Sequence, residues 1–142
     1  MYKIRFYKKT DYSQVKAILQ EANSYDKVWD SEENLSGMID KDQKSILVAV
    51  SDNHVVGNIF ITPYGTKVAY LFRLAVKKEY RNQGIATKLL KQAESLCKKR
   101  GVKEIAFFVN KDKNELKAFY NKRKFKTSEN SIAFNCFWKT IK

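Results

Sequence analysis

The stretch Leu74-Ala75-Val76-Lys77-Lys78-Glu79-Tyr80-Arg81-Asn82-Gln83-Gly84-Ile85-Ala86 decides how this chain reads. An apolar run with the character of a buried strand passes into a short polar turn, and Gly84 and Ala86 then open a long helical pattern. Small residues at such a turn let backbone N–H groups crowd around one point, and the first turn of a helix leaves those donors without intrahelical partners. The positive end of the helix dipole adds to them, so the segment predicts an anion site suited to phosphate. It falls at the carboxyl end of a strand, where open α/β sheets place ligands. Arg81, Lys77, Lys78 and Lys88 surround it with positive charge.

Working outward, the apolar residues Ala86, Leu89, Leu90, Ala93, Leu96 and Cys97 recur at helical spacing, and Lys98-Lys99-Arg100-Gly101 reads as the helix end. Upstream, residues 1–8 read as a strand with Ile4 and Phe6 on one face. Asp11 with Gln14 spells a capping box before Val15, Ile18, Leu19 and Ala22. Asp30 with Glu33 repeats that spelling before Leu35, Met38 and Ile39. Three consecutive strands are expected at 46–50, 55–62 and 67–76, the first two joined by a turn at Asp52-Asn53. Downstream, a strand at 102–109, a helix at 114–122 and a strand at 132–141 complete the order β-α-α-β-β-β-α-β-α-β. A strand–helix–strand passage implies at least one parallel pairing. The predicted fold is α/β: a central mixed β-sheet with helices on both faces, in one domain over 1–142.

Composition narrows the function. The chain has 142 residues, 44% of them apolar, with 28 Lys+Arg against 15 Asp+Glu for a net charge of +13. Disorder does not fit that apolar content. The single histidine, His54, and two cysteines, Cys97 and Cys136, argue against a metal site, a Ser-His-Asp site or a disulfide framework. Both cysteines read as buried, reduced packing residues, and His54 as a surface residue of a hairpin turn. No apolar run has membrane-spanning length and the start is not signal-like, so a cytoplasmic protein is expected. The charge is uneven: residues 1–75 carry a net +1, and Lys77 to the end a net +12. Glu21–Asp42 alone holds seven acids against two lysines.

The turn resembles motif A of the GNAT superfamily of N-acetyltransferases, Arg/Gln-x-x-Gly-x-Gly/Ala after a strand, with Arg81, Gly84 and Ala86 at the signature positions. The element order is also that of the superfamily. The resemblance implies acetyl-CoA as cosubstrate, held through Arg81, Asn82, Gln83, Gly84, Ile85, Ala86 and Thr87 at the pyrophosphate and through the backbone of Leu74, Ala75 and Val76 along the pantetheine arm. A second match, Ala118-Phe119-Tyr120 followed by Phe125, is similar to the family string Ala-x-Tyr-x-x-x-Gly-Phe. It puts Tyr120 in the slot of the general acid that protonates the departing thiolate, and it implies an oxyanion donor at the Val76 N–H.

Three departures accompany the match. Lys124 replaces the family glycine before Phe125, so the turn there must avoid a positive φ or tolerate strain. The family asparagine falls on Lys113, leaving Asn114 and Asn110 as rival cofactor contacts. No carboxylate base is visible at Phe72-Arg73 or Phe108-Val109; Asp30 and Glu33 are candidates for that role through water.

Acidic Glu21–Asp42 lies where the family lines its acceptor side. It suggests a cationic primary amine, small-molecule or protein-borne, with Asp30, Glu32 and Glu33 as its charge partners and Tyr25 and Trp29 as an apolar wall. The competing reading is a nucleic-acid-binding module, or an acetyltransferase acting on an RNA-linked amine. It rests on the +13 and on the aromatic strand Ile105–Val109, but three consecutive strands do not fit an RNA-recognition fold. Oligomeric state stays open, a dimer among the options.

Overall fold

A computed structural model describes residues 1–110, 114–127 and 134–141. The strands are β1 (Lys3–Phe6), β2 (Ile46–Ser51), β3 (His54–Tyr64), β4 (Val68–Val76), β5 (Glu104–Asn110), β6 (Lys126–Thr127) and β7 (Phe134–Thr140). The helices are α1 (Tyr12–Glu21), α2 (Glu32–Lys41), α3 (Ile85–Lys99) and α4 (Asn114–Lys122). The expected order holds, with the two-residue β6 as the one addition. The sheet is mixed, as expected: β4 and β5 run parallel, and the other described ladders are antiparallel. The chain forms two compact units, Met1–Ile61 with Arg73–Ala93, and Thr62–Phe72 with Glu94–Lys142.

In the first unit the strand order is β1-β2-β3-β4. Val48, Ala49, Val55, Val56, Ile59 and Phe60 are buried on both faces of β2 and β3, which is why those strands read as continuous apolar runs rather than alternating ones. Asp52 and Asn53 have φ of 49° and 65°, the left-handed pair that a tight two-residue hairpin needs. Val15, Ile18 and Leu19 of α1 and Leu35 of α2 are buried as their spacing predicts. The first strand differs: Phe6 is 39% exposed and Tyr7, just past it, takes the buried place.

Neither predicted capping box forms. The Asp11 carboxylate accepts the Lys8 N–H at 2.8 Å and binds both terminal nitrogens of Arg5 at 2.8 and 3.0 Å, while Gln14 Oε1 accepts the Val55 N–H. At α2 the cap is Ser31, whose Oγ accepts the Asn34 N–H; Asp30 is engaged elsewhere. In both places an arginine takes the carboxylate away from the local helix end, since a charge-assisted fork is the stronger bond.

The second unit orders its strands β4-β5-β7-β6. Gly101, with φ of 81°, closes α3, and the Val102 N–H returns to the Cys97 carbonyl. Cys97 is buried, and that burial pushes its thiol pKa up. Of Cys136 only the backbone is described, paired with Phe108. His54 is exposed at the hairpin, as expected.

Burial opposes ionisation of Asp11, but the hydrogen bonds from Arg5 and the Lys8 N–H outweigh it and hold the carboxyl below its usual range. A lowered native pKa adds stability above the unfolded value, and this is lost as pH falls through the native one. Asp11→Asn is therefore expected to lower stability by about 1–3 kcal/mol at pH 7. In urea melts the gap from wild type should close as the pH drops below about 4.

Candidate functional site

The end of β4 and the start of α3 both lie in the first unit. The parallel β4–β5 ladder covers Val68–Tyr70 among the described residues, and Leu74, Ala75 and Val76 lie beyond it along the strand. On the β3 side the strand end is held closely: the Lys77 N–H donates to the Val56 carbonyl at 2.8 Å. A Cβ on Gly57 would sit 3.1 Å from the Ala75 carbonyl oxygen and 3.2 Å from Leu89 Cδ1, so this strand position accepts no side chain without displacement.

Between strand and helix the backbone makes a single 3₁₀ turn over Lys78–Tyr80. Asn82 and Gly84 then take left-handed φ values of 62° and 81°. The turn is clamped at both ends. Glu21, the last residue of α1, accepts the Lys78 N–H at 2.6 Å, and Arg81 Nε donates to the Val76 carbonyl at 2.9 Å. The signature arginine thus folds back onto the strand that precedes it. The Lys88 N–H donates to the carbonyl of Gly84, just before α3, and the start of a helix is where backbone amides can meet an outside acceptor. Arg81, Asn82, Gln83 and Gly84 are exposed, Ala86 and Thr87 half-buried, and Ile85 and Val76 anchored in the core. These donors and the neighbouring lysines suit a phosphate ester, and the strand end beyond the ladder suits an extended amide chain.

Tyr120 lies in the second unit, buried on α4 among Phe107, Phe119 and Phe125, with ring centroids at 4.4, 5.2 and 5.4 Å. Burial raises its hydroxyl pKa well above the usual phenol value, against a smaller lowering by the Arg123 charge. The loop after it accepts strain rather than avoiding it: Lys124 has φ of 65°, and the Phe125 N–H caps the Tyr120 carbonyl at 3.2 Å. Asn114 is the exposed first residue of α4, and of Asn110 only the backbone is described, as the last residue of β5. Lys113 lies outside the described residues.

The acidic stretch comes out differently from its composition. Asp30 is 1% exposed and bound by Arg73, with Nε to Oδ1 and Oδ2 at 3.0 and 3.2 Å and a terminal nitrogen to Oδ2 at 3.0 Å. It is therefore no base open to water, nor a charge partner for an acceptor. Asp26 accepts the Val28 and Trp29 N–H groups, which hold its carboxyl below the usual range, and Asp40 pairs with Lys9. Glu32 and Glu33 stay exposed in the first turn of α2. Sequence reasoning missed Glu21, Asn58 and Arg73 because their partners lie 15 to 57 residues away. Gly57 did leave a signal, a glycine inside an apolar strand.

The family model described as the acetyltransferase (GNAT) family matches residues 12–125. The chain belongs to that family. It is 32% identical over 103 residues to a spermidine N(1)-acetyltransferase of Thermoplasma acidophilum, covering 70% of this chain and 63% of that protein. It is 41% identical over 56 residues to N-alpha-acetyltransferase 30 of Schizosaccharomyces pombe, 39% of this chain and 37% of that protein. The matches thus span 63% and 37% of the lengths of these curated relatives. Among solved structures, Ard1 of Thermoplasma volcanium superposes with a TM-score of 0.88 at 21% identity, covering 99% of this chain and 98% of that one. The PaiA N-acetyltransferase of Thermoplasma acidophilum, solved with coenzyme A, gives 0.87 at 24% identity over 99% of both chains. These likenesses show the GNAT fold.

Two glycines separate the close approach from ordinary helix behaviour. Gly57→Ala is expected to lower stability by about 1–3 kcal/mol through displacement of the Ala75 carbonyl. Gly37→Ala, in α2 with nothing within 4 Å of the added Cβ, should instead raise it by about 0.5–1 kcal/mol. Paired denaturant melts read both signs.

Proposed function

We propose that residues 1–142 form a single cytoplasmic N-acetyltransferase domain that moves an acetyl group from acetyl-CoA to a primary amine by direct attack in a ternary complex. The reading rests on the strand-to-helix turn with left-handed Asn82 and Gly84, clamped by Glu21 and Arg81, in a chain of the GNAT family. Acetyl-CoA supplies a thioester that an amine can attack without prior activation of the acyl group.

The backbone N–H groups of Asn82 to Thr87 hold the pyrophosphate, and Leu74 to Val76 pair with the pantetheine amides as an added strand. Arg81 serves the site indirectly, by fixing where the strand stops and the turn begins. The Val76 N–H is the donor for the oxyanion that forms on attack, an arrangement that contributes several kcal/mol where such donors are preorganised. Tyr120 donates its proton to the departing thiolate. Burial pushes its hydroxyl pKa above the usual phenol value, so the proton is in place before the thiolate forms. Among the described residues no group of His, Cys, Asp and Glu side chains could hold a metal ion, and the chemistry calls for none.

A primary amine acceptor is common ground between the spermidine and N-alpha-amine acetyltransferases to which the chain is similar. Release of free thiol from acetyl-CoA across a panel of amines tests the reaction. Tyr120→Phe is expected to lower kcat about 100-fold with the acetyl-CoA Kd unchanged within about twofold. Equal turnover would remove Tyr120 from the mechanism. Gly84→Asp places a side chain and a negative charge at the proposed phosphate site, and calorimetry should show acetyl-CoA bound about tenfold more weakly. Wild-type affinity there would take the turn out of the site.

A further inference from the structure

On β5 the neighbours Phe107 and Phe108 point to opposite faces of the sheet, since strand side chains alternate. Phe107 is buried and packs on Tyr120, whereas Phe108 is 60% exposed. The Tyr70 ring of β4 stacks on Phe108, with centroids 5.3 Å and planes 29° apart. The Tyr64 ring, 68% exposed at the end of β3, meets Tyr70 edge-on at 5.8 Å. Three rings from three strands thus form one continuous row at the surface, on the side of the sheet away from Tyr120. Single exposed rings are ordinary, but a contiguous row marks a surface that meets something.

The charge of the same unit narrows what that is. Its segments Thr62–Phe72 and Glu94–Lys142 hold 14 Lys and Arg against five Asp and Glu, so +9 of the chain's +13 falls here. Lys67, in the turn before β4, and Lys103, just before β5, are both exposed, and the Lys103 N–H donates to the Lys67 carbonyl at 2.7 Å. Lys126 of β6 is exposed too. It lies in register with Ala106 through the backbone of Trp138, which puts it on the face that carries Tyr70 and Phe108. Against these three cations the face carries the exposed acid Glu104. An apolar protein partner has no use for such a charge excess, and an acidic peptide has little for a row of rings. Bases strung on a phosphate backbone use both. A duplex keeps its base faces stacked inside, so rings on a sheet can meet only unpaired bases.

We propose that the Tyr64–Tyr70–Phe108 row is a platform for a single-stranded polynucleotide, its bases stacked on the rings and its phosphates met by Lys67, Lys103 and Lys126. The platform does not rest on the acetyltransferase reading, and it lies across the sheet from Tyr120. It gives a role to the aromatic strand and to the basic excess of the C-terminal half, neither of which the acetyl transfer calls on.

Fluorescence anisotropy with a labelled oligouridylate of about 12 nucleotides, within the site sizes of such platforms, tests this directly. Wild type should bind it with a Kd of about 1–100 µM, and the affinity should fall about tenfold between about 50 and 200 mM KCl as the lysines' phosphate contacts are screened. Phe108→Leu keeps an apolar side chain but loses the π-face, and should weaken binding about tenfold; Tyr64→Ala should weaken it about fivefold. Phe108→Trp should bind within about twofold of wild type, because it keeps the π-face. The double variant Lys67→Glu, Lys126→Glu should bind about tenfold more weakly, with a shallower salt dependence. The deoxy oligomer of the same sequence should bind within about fivefold of the RNA, since neither rings nor lysines call on the 2′-hydroxyl. An RNA duplex of that length should bind about tenfold more weakly than the single strand.

Unchanged affinity in Phe108→Leu and Tyr64→Ala, with loss only in the lysine variant, would reduce the binding to charge alone and overturn the platform. So would a duplex bound as tightly as the single strand, or a wild type that binds neither single strand. A dimer in sedimentation equilibrium that Phe108→Leu dissociates, without binding of either oligomer, would assign the row to a second copy of this chain instead. The substituted side chains are all exposed, and Phe108→Trp separates loss of the ring from any loss of fold.

Discussion

One backbone conformation organises the first unit: the left-handed Arg73 in the middle of a strand. A β-strand with one such residue cannot keep its side-chain alternation or its straight path, so the residues after it set out in a new direction. Holding an arginine there takes contacts at both ends, the Asn58 amide on its carbonyl and the Asp30 carboxylate on its guanidinium. Those contacts in turn fix the base of the α1–α2 turn. Beyond Arg73 the strand end depends on a second constraint, the missing side chain at Gly57, which lets the Ala75 carbonyl and the Leu89 side chain come close. The turn into α3 then begins from a backbone that these contacts hold.

Left-handed backbone occurs at a turn in each unit, freely at a glycine and at a cost elsewhere. In the first unit, left-handed Asn82 and Gly84 turn the backbone out of β4 and into α3. In the second, Lys124 adopts φ of 65° where a glycine would do so freely, and the loop it forms brings the Phe125 ring against Tyr120. The ring cluster around Tyr120 is what makes its hydroxyl a weak acid, since a phenolate would have to form among phenyl groups with little water to solvate it. The same burial that packs the ring therefore sets the state of its hydroxyl.

Most of the architecture was legible in the chain, because apolar spacing reports which face of each element is buried. The helices at 85–99 and 114–122 and the paired strands on either side follow from period alone. The strand-to-helix turn was legible for a different reason: a glycine and small residues between an apolar run and a helical period mark where the chain must turn sharply, and Gly84 does take a left-handed φ there. The acids were where legibility failed. Asp11 and Asp30 both carry the spelling of a helix cap, yet each gives its carboxylate to an arginine, the second 43 residues away. No local pattern distinguishes a cap from an ion pair whose partner is brought in by the fold. Composition misled in the same way: Glu21–Asp42 is strongly acidic as a string, while in the structure Glu21, Asp26, Asp30 and Asp40 are engaged by groups of the protein itself. The two-residue β6 is too short to carry a period at all.

The buried Cys97 has a practical side. Thiol reagents attack the thiolate, and a thiol whose pKa is pushed up by burial presents very little of it. With 1% of its surface exposed, Cys97 also presents almost no sulfur for a bulky disulfide reagent to reach. A colorimetric count of thiol set free from a thioester therefore meets a quiet background from this residue while the protein stays folded. The same count rises when the fold opens, so the slow appearance of that thiol without added acceptor becomes a clock for unfolding.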